Sequence, residues 1–208
     1  MKKVGFHTLG CKVNQYETEA MEELFEKKGY EIIDSDEIAD IYVINTCTVT
    51  NFGDRKSRQF IRRAKKLNPD SIVAVVGCYS QIAPEEVGKI EGINVIIGTT
   101  QREKIVELCE KVALENEKIN SVKDSSKHND FEKLNIVDIK EKTRANIKIQ
   151  EGCNQFCSYC IIPYARGPIR SRELYDIVEE VKRLSDAGFK EIILTGIHIA
   201  SYGKNTNG

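Results

Sequence analysis

Three of the seven cysteines crowd into one short stretch, Glu151-Gly-Cys-Asn-Gln-Phe-Cys-Ser-Tyr-Cys160, with three and then two residues between successive thiols. A single loop can wrap an inorganic centre with that spacing. Thiolates at Cys153, Cys157 and Cys160 can each hold one iron of a cubane cluster, which leaves the fourth iron open to a further ligand. A structural zinc site asks for four protein ligands, and the nearest preceding histidine, His128, lies in a polar stretch well before the loop.

Cys11, Cys47 and Cys78 are separated by 36 and 31 residues, so no local motif joins them. What matters is where each one falls. Each comes directly after a segment that reads as a strand, the first, third and fourth of the N-terminal region. In a doubly wound sheet of order 2-1-3-4-5 those strands are neighbours, and ligands bind at their carboxyl ends. Adjacent strands lie about 4.8 Å apart, so three thiolates there could converge on a second cluster. The alternative is that all three are small buried apolar groups, as free cysteines often are. Cys109 sits on the apolar stripe of a helix with Ile105, Leu108 and Val112, which reads as core packing.

The elements that must position these groups alternate in type. Residues 2 to 8 read as a strand, followed by a helix that Asn14 and Glu17 open as a capping box and Gly29 closes. Further short β-branched runs fall at Tyr30 to Ile33, Ile41 to Ile44, Ile72 to Val76 and Val95 to Ile97. A helix is expected from about Asp54 to Leu67, and another opening at a Thr100–Glu103 capping box. Such alternation predicts an α/β fold with a parallel sheet over residues 1–117. Residues 118–142 are polar without period and read as a linker. A second region, 143–208, offers a strand at Ala145 to Gln150, a helix at Leu174 to Ala187 and a strand at Glu191 to Thr195. That is one βαβ unit, too little to bury both faces of its sheet, so the chain is expected to be truncated.

With net charge -1 and a pI near 6.4, the chain has no global field to attract nucleic acid. One helix is locally basic, carrying Arg55, Lys56, Arg58, Arg62, Arg63, Lys65 and Lys66; it reads either as a phosphate-contacting face or as a solvated one. The N-terminus lacks the pattern of a signal peptide, and a cytoplasmic location is expected. In that reducing compartment cysteines serve metal or redox chemistry rather than disulfides. His7 and His198 read as packing or surface residues.

The three-cysteine loop, with the strand before it and the helix after it, resembles the radical S-adenosylmethionine (SAM) superfamily. Ile161-Ile-Pro-Tyr-Ala-Arg-Gly167, with Arg170-Ser-Arg172 behind it, resembles the methylthiotransferase branch. So do Thr8-Leu-Gly-Cys-Lys-Val-Asn-Gln-Tyr-Glu17, Asn45-Thr-Cys-Thr-Val49 and Val76-Gly-Cys-Tyr-Ser-Gln81. Within that branch, Leu9 to Glu17 and Gly196-Ile-His-Ile-Ala-Ser-Tyr-Gly203 are most similar to enzymes acting on threonylcarbamoyladenosine in tRNA. Other members act on isopentenyladenosine in tRNA or on an aspartate of a ribosomal protein.

The resemblance implies two [4Fe-4S] clusters, one on Cys153, Cys157 and Cys160 and one on Cys11, Cys47 and Cys78. It implies SAM as cofactor, chelated at the open iron and cleaved by one electron to a radical that abstracts hydrogen; a second SAM supplies methyl to sulfur at the N-terminal cluster. Tyr159, Thr195 and Gly196 would lie at the cofactor. The partners implied are the anticodon stem-loop of tRNA and an electron donor such as flavodoxin or ferredoxin. It further implies that 143–208 begins a radical SAM partial barrel whose remainder, with an RNA-holding TRAM domain, is absent, so that this chain alone would be inactive. A reading of another class keeps the cysteines but makes the protein a non-enzymatic two-cluster electron carrier.

Overall fold

The computed structural model describes residues 1–48, 51–128, 130–132, 134 and 143–205, with the backbone alone over 51–55. The first unit runs β1 (Lys3–Thr8), α1 (Lys12–Lys27), β2 (Glu31–Asp34), β3 (Ile41–Thr46), α2 (Asn51–Leu67), β4 (Ile72–Gly77), α3 (Cys78–Ile82), α4 (Pro84–Gly88), β5 (Val95–Ile96), α5 (Ile105–Glu115) and β6 (Ile119–Asn120). Its strands form one parallel sheet in the order β2-β1-β3-β4-β5-β6. This is the expected doubly wound order with a sixth strand added. That strand falls inside the stretch that reads as linker, because two residues give too short a run to carry a period.

Both sheet faces are covered, which explains the near-continuous apolar runs of β3 and β4. Alternate residues serve opposite cores: Ile41, Val43, Ala74 and Val76 meet Met21 and Phe25 of α1 and Ile105 and Cys109 of α5. Tyr42, Ile44, Val73 and Val75 meet Ile61 and Ala64 of α2. A register slip of one residue would exchange the two cores, so the pairing of β3 with β4 is firmly specified.

The second unit comprises β7 (Arg144–Glu151), α6 (Ile162–Arg166), β8 (Arg170–Ser171), α7 (Leu174–Asp186) and β9 (Glu191–Gly196). Strand β7 pairs in parallel with β9 and antiparallel with β8. Ala145, Ile147 and Ile149 pack with Ile177, Leu184 and Phe189. Unit and topology agree with the start of a radical SAM fold. No helix among the described residues is long and apolar enough to cross a membrane.

Neither expected capping box forms. Helix α1 begins at Lys12 with Cys11 at its N-cap, so Asn14 and Glu17 lie inside the helix, buried in polar contacts described below. Thr100 Oγ1 is buried without a hydrogen-bond partner; the chain instead turns through Gln101 at φ 65° and a single 3-10 turn, Arg102–Lys104, before α5 starts at Ile105. In both cases a buried ion pair claims the residues, Glu17 and Arg102, that would otherwise sit at the helix opening.

Candidate functional site

Cys11, Cys47 and Cys78 stand at the carboxyl ends of β1, β3 and β4, three adjacent strands of the sheet. Gly10 adopts φ +116°, and a Cβ built there would lie 3.0 Å from Cys47 Cβ. The turn after β1 thus lies against the turn after β3 only because residue 10 has no side chain. Asn14 Nδ2 ties the same turns together by donating to Leu9 O at 3.0 Å and Thr46 O at 3.0 Å, while its Oδ1 accepts from Cys11 Sγ at 3.5 Å. Exposure falls across the trio, from Cys11 at the surface through Cys47 to buried Cys78. Burial pushes the Cys78 thiol pKa up and neighbouring Glu17 and Cys47 add to the rise, while Arg166 works against it.

Cys153, Cys157 and Cys160 share the loop between β7 and α6. It closes at its base, where Cys153 N donates to Gly167 O at 3.1 Å, and turns internally, where Cys160 N donates to Cys157 O at 2.9 Å. Asn154 Oδ1 accepts from Ile169 N at 3.0 Å and pins the far side. Phe156, at φ 45°, sets its ring edge-on to Tyr164. Cys157 is exposed and its two companions are half-buried, so the loop offers its thiols outward.

Thr195 and Gly196 end β9 at the level of Lys148 and Gln150 in β7, so they share an edge with the start of the cysteine loop. Gln150 links the two strand ends: its amide donates to Glu151 O and Gly152 O, both at 2.8 Å, and its carbonyl accepts from His198 N at 2.6 Å. Tyr159 stands apart, 91% exposed. Among the described residues no three His, Cys, Asp or Glu side chains close on a single metal position. A cubane takes each thiolate on a separate iron, and two sets of three soft sulfur donors suit iron-sulfur chemistry.

Between the trios lies a buried group of charges. Glu17 of α1 meets Arg102 at 2.5 Å, Arg166 at 2.7 Å and Lys148 at 3.0 Å. Glu151 meets Arg166 at 2.6 Å, Lys148 at 3.3 Å and Arg170 at 3.4 Å, and Arg102 also pairs with Glu132. Burial alone would raise the Glu17 and Glu151 carboxyls, but these surrounding cations hold both well below the usual carboxylate range. Sequence reasoning does not find this cluster. Its signal was Lys148, a cation within the strand expected over Ala145 to Gln150; that lysine is fully buried and meets Glu17 of the first unit.

Residues 3–98 match the family described as "Uncharacterized protein family UPF0004", and residues 147–205 match the "Radical SAM superfamily". The chain is 51% identical over 99% of its length to the threonylcarbamoyladenosine tRNA methylthiotransferase MtaB of Bacillus subtilis (strain 168), covering 46% of that protein. It is 43% identical over 97% of its length to the MtaB of Aquifex aeolicus (strain VF5), covering 49%. To the tRNA-2-methylthio-N(6)-dimethylallyladenosine synthase of Thermosipho melanesiensis it is 35% identical, covering 47% of that protein. The chain is thus similar along nearly its whole length to radical SAM tRNA methylthiotransferases. It spans about half the length of these curated relatives. The radical SAM match over residues 147–205 implies a [4Fe-4S] cluster and SAM, and the three soft thiols of the β7–α6 loop, none of them buried, fit such a cluster.

Proposed function

We propose that the protein of which this chain is part adds a 2-methylthio group to N6-threonylcarbamoyladenosine beside the anticodon of tRNA. The observation that carries this reading is the pair of cysteine trios, one at three neighbouring strand ends and one in a single loop, in a chain 51% identical to a relative named for that activity. On this reading Cys153, Cys157 and Cys160 hold one [4Fe-4S] cluster and Cys11, Cys47 and Cys78 hold a second. When bound, the clusters and SAM supply the electron, radical and methyl chemistry. The chain's own residues position and shield. Thr195 and Gly196 offer the end of β9 to the cofactor, next to the base of the cysteine loop. Tyr159, exposed on that loop, is free to cover a bound cofactor.

The domain division goes with this reading: a cluster-binding unit over 1–117, a connecting segment over 118–142 and a radical SAM unit from 143. Transfer RNA is the proposed substrate, and a flavodoxin- or ferredoxin-type protein the proposed electron donor. Arg62 and Lys66 of α2 could meet RNA phosphates; Arg63 is already paired with Asp36 at 2.9 Å, and the side chain of Arg55 lies outside the described residues. Arg62 stands eleven residues into the helix, about 16 Å along its axis from the end nearer the cysteines. Any RNA there would be held away from the reacting base.

Anaerobic reconstitution of the full-length protein tests the proposal. About eight irons are expected, falling to about four when either trio is replaced by alanine. Nucleosides from a strain lacking the gene should lose the methylthio form of threonylcarbamoyladenosine alone. Loss of the dimethylallyl derivative, or an intact nucleoside profile with an unmodified ribosomal protein, would redirect the substrate assignment. A cluster spectrum indifferent to added SAM would favour an electron carrier instead.

A further inference from the structure

Arg166 is the last residue of α6, six positions beyond Cys160, and it is fully buried. Although it belongs to the radical SAM unit, its guanidinium lies against the first. Nε donates to Cys78 Sγ at 3.3 Å. Nη1 donates to Glu17 and Glu151, and Nη2 to Asn14 Oδ1 at 2.9 Å and Glu17 Oε2 at 3.1 Å. All three nitrogens are thus engaged, in a planar fork that no lysine reproduces.

The two carboxylates account for a cation at this position, but they do not account for its third edge being turned to sulfur. A guanidinium has no acceptor, so the sulfur must accept, and a thiolate does that best. Asn14 extends the contact, since the oxygen that meets Arg166 also meets Cys11 Sγ and its amide nitrogen holds Thr46 O, beside Cys47. Hydrogen bonds to ligand sulfurs and nearby positive charge stabilise the more negative, reduced form of an iron-sulfur cluster.

We infer that Arg166 is a positioning residue for the N-terminal trio: its hydrogen bond to Cys78 raises the reduction potential of the cluster held there and makes that potential depend on docking of the second unit. This rests on the two-cluster reading above. The N-terminal cluster would then carry its full potential only when the radical SAM unit is seated against it.

The test uses the full-length protein with Cys153, Cys157 and Cys160 replaced by alanine, so that only the first trio binds iron. Its midpoint is followed by electron paramagnetic resonance during a reductive titration, with iron content and circular dichroism read on the same samples. Arg166→Gln and Arg166→Lys should both retain the fold and about four irons while shifting the midpoint to more negative values. Arg166→Lys decides the matter if the glutamine variant misfolds, because it keeps a cation beside Glu17 and Glu151 and removes the donor from the sulfur. Loss of iron from a folded lysine variant would also support the role. An unchanged midpoint with four irons would overturn it. Absence of iron in the parent with Arg166 intact would instead remove the two-cluster reading, and this inference with it.

Discussion

Gly152 carries more of the cysteine loop than any neighbour in sequence, since it adopts φ +74° and a Cβ there would lie 1.8 Å from Pro168 O. A backbone oxygen cannot swing aside as a flexible side chain does, so Gly152→Ala must push the start of the loop away from β8. The expected cost is about 3 kcal/mol, combining left-handed strain with overpacking, read as a lower urea midpoint. On the two-cluster proposal, iron bound at Cys153, Cys157 and Cys160 should fall with it, while iron at the other trio stays. Cys109 gives the opposite expectation. It is wholly buried in the first core, and burial, reinforced by Glu110, pushes its thiol up to about 12. Cys109→Ala should leave iron content unchanged and cost about 1 kcal/mol, the scale of a small core truncation. Native protein should not be alkylated at that position.

At the scale of elements, β1 and α2 meet through His7, whose ring stacks on Phe60 at 3.2 Å between centroids. Burial lowers its pKa to about 4; Arg63 and Lys56 add to the fall, and Asp36 and Asp34 oppose it. Between pH 4 and 6.5 the unfolded chain therefore binds a proton that the folded chain refuses, so stability rises with pH across that window and drains away on acidification. His7→Phe should flatten the dependence, seen as a thermal midpoint that changes less between pH 6.5 and 4 than the parent's. An equal slope in both proteins would remove His7 from the account. Elements of this kind are legible in the sequence where an apolar run matches a period, as in β3, β4 and α7. They are less legible where polar residues are claimed by distant partners. Asn14 and Glu17 have the spacing of a cap, but their partners come from β3, β7 and α6, and no local pattern encodes that.

At the scale of the whole molecule, the cysteines could be placed from sequence because strand order alone brings three strand ends together. What joins the two units could not, because Lys148 and Gln150 alternate with the apolar residues of β7 as a solvent face would, yet both are fully buried, as is the charged Glu151 that ends the strand. Glu17 is the hub of that junction, reaching one cation from its own unit, Arg102, and two from the other, Lys148 and Arg166. A buried ion network adds little over an apolar core of the same shape, yet losing one member leaves its partners charged and unsolvated. Glu17→Gln keeps the shape and removes the charge, so it should cost about 3–5 kcal/mol. The loss should fall on the junction rather than evenly. The first sheet has two cores of its own, whereas the second unit has one small core and an edge strand with Leu194 48% exposed. Urea unfolding should therefore change from one transition to two, the second unit melting first. Acid should act on the parent in the same direction: with Glu17 and Glu151 held low by their cations, their contribution is complete above the ordinary carboxylate range and is lost as pH falls through the native values. A Glu17→Gln protein that unfolds in one step, within about 1 kcal/mol of the parent, would mean that packing rather than charge holds the two units together.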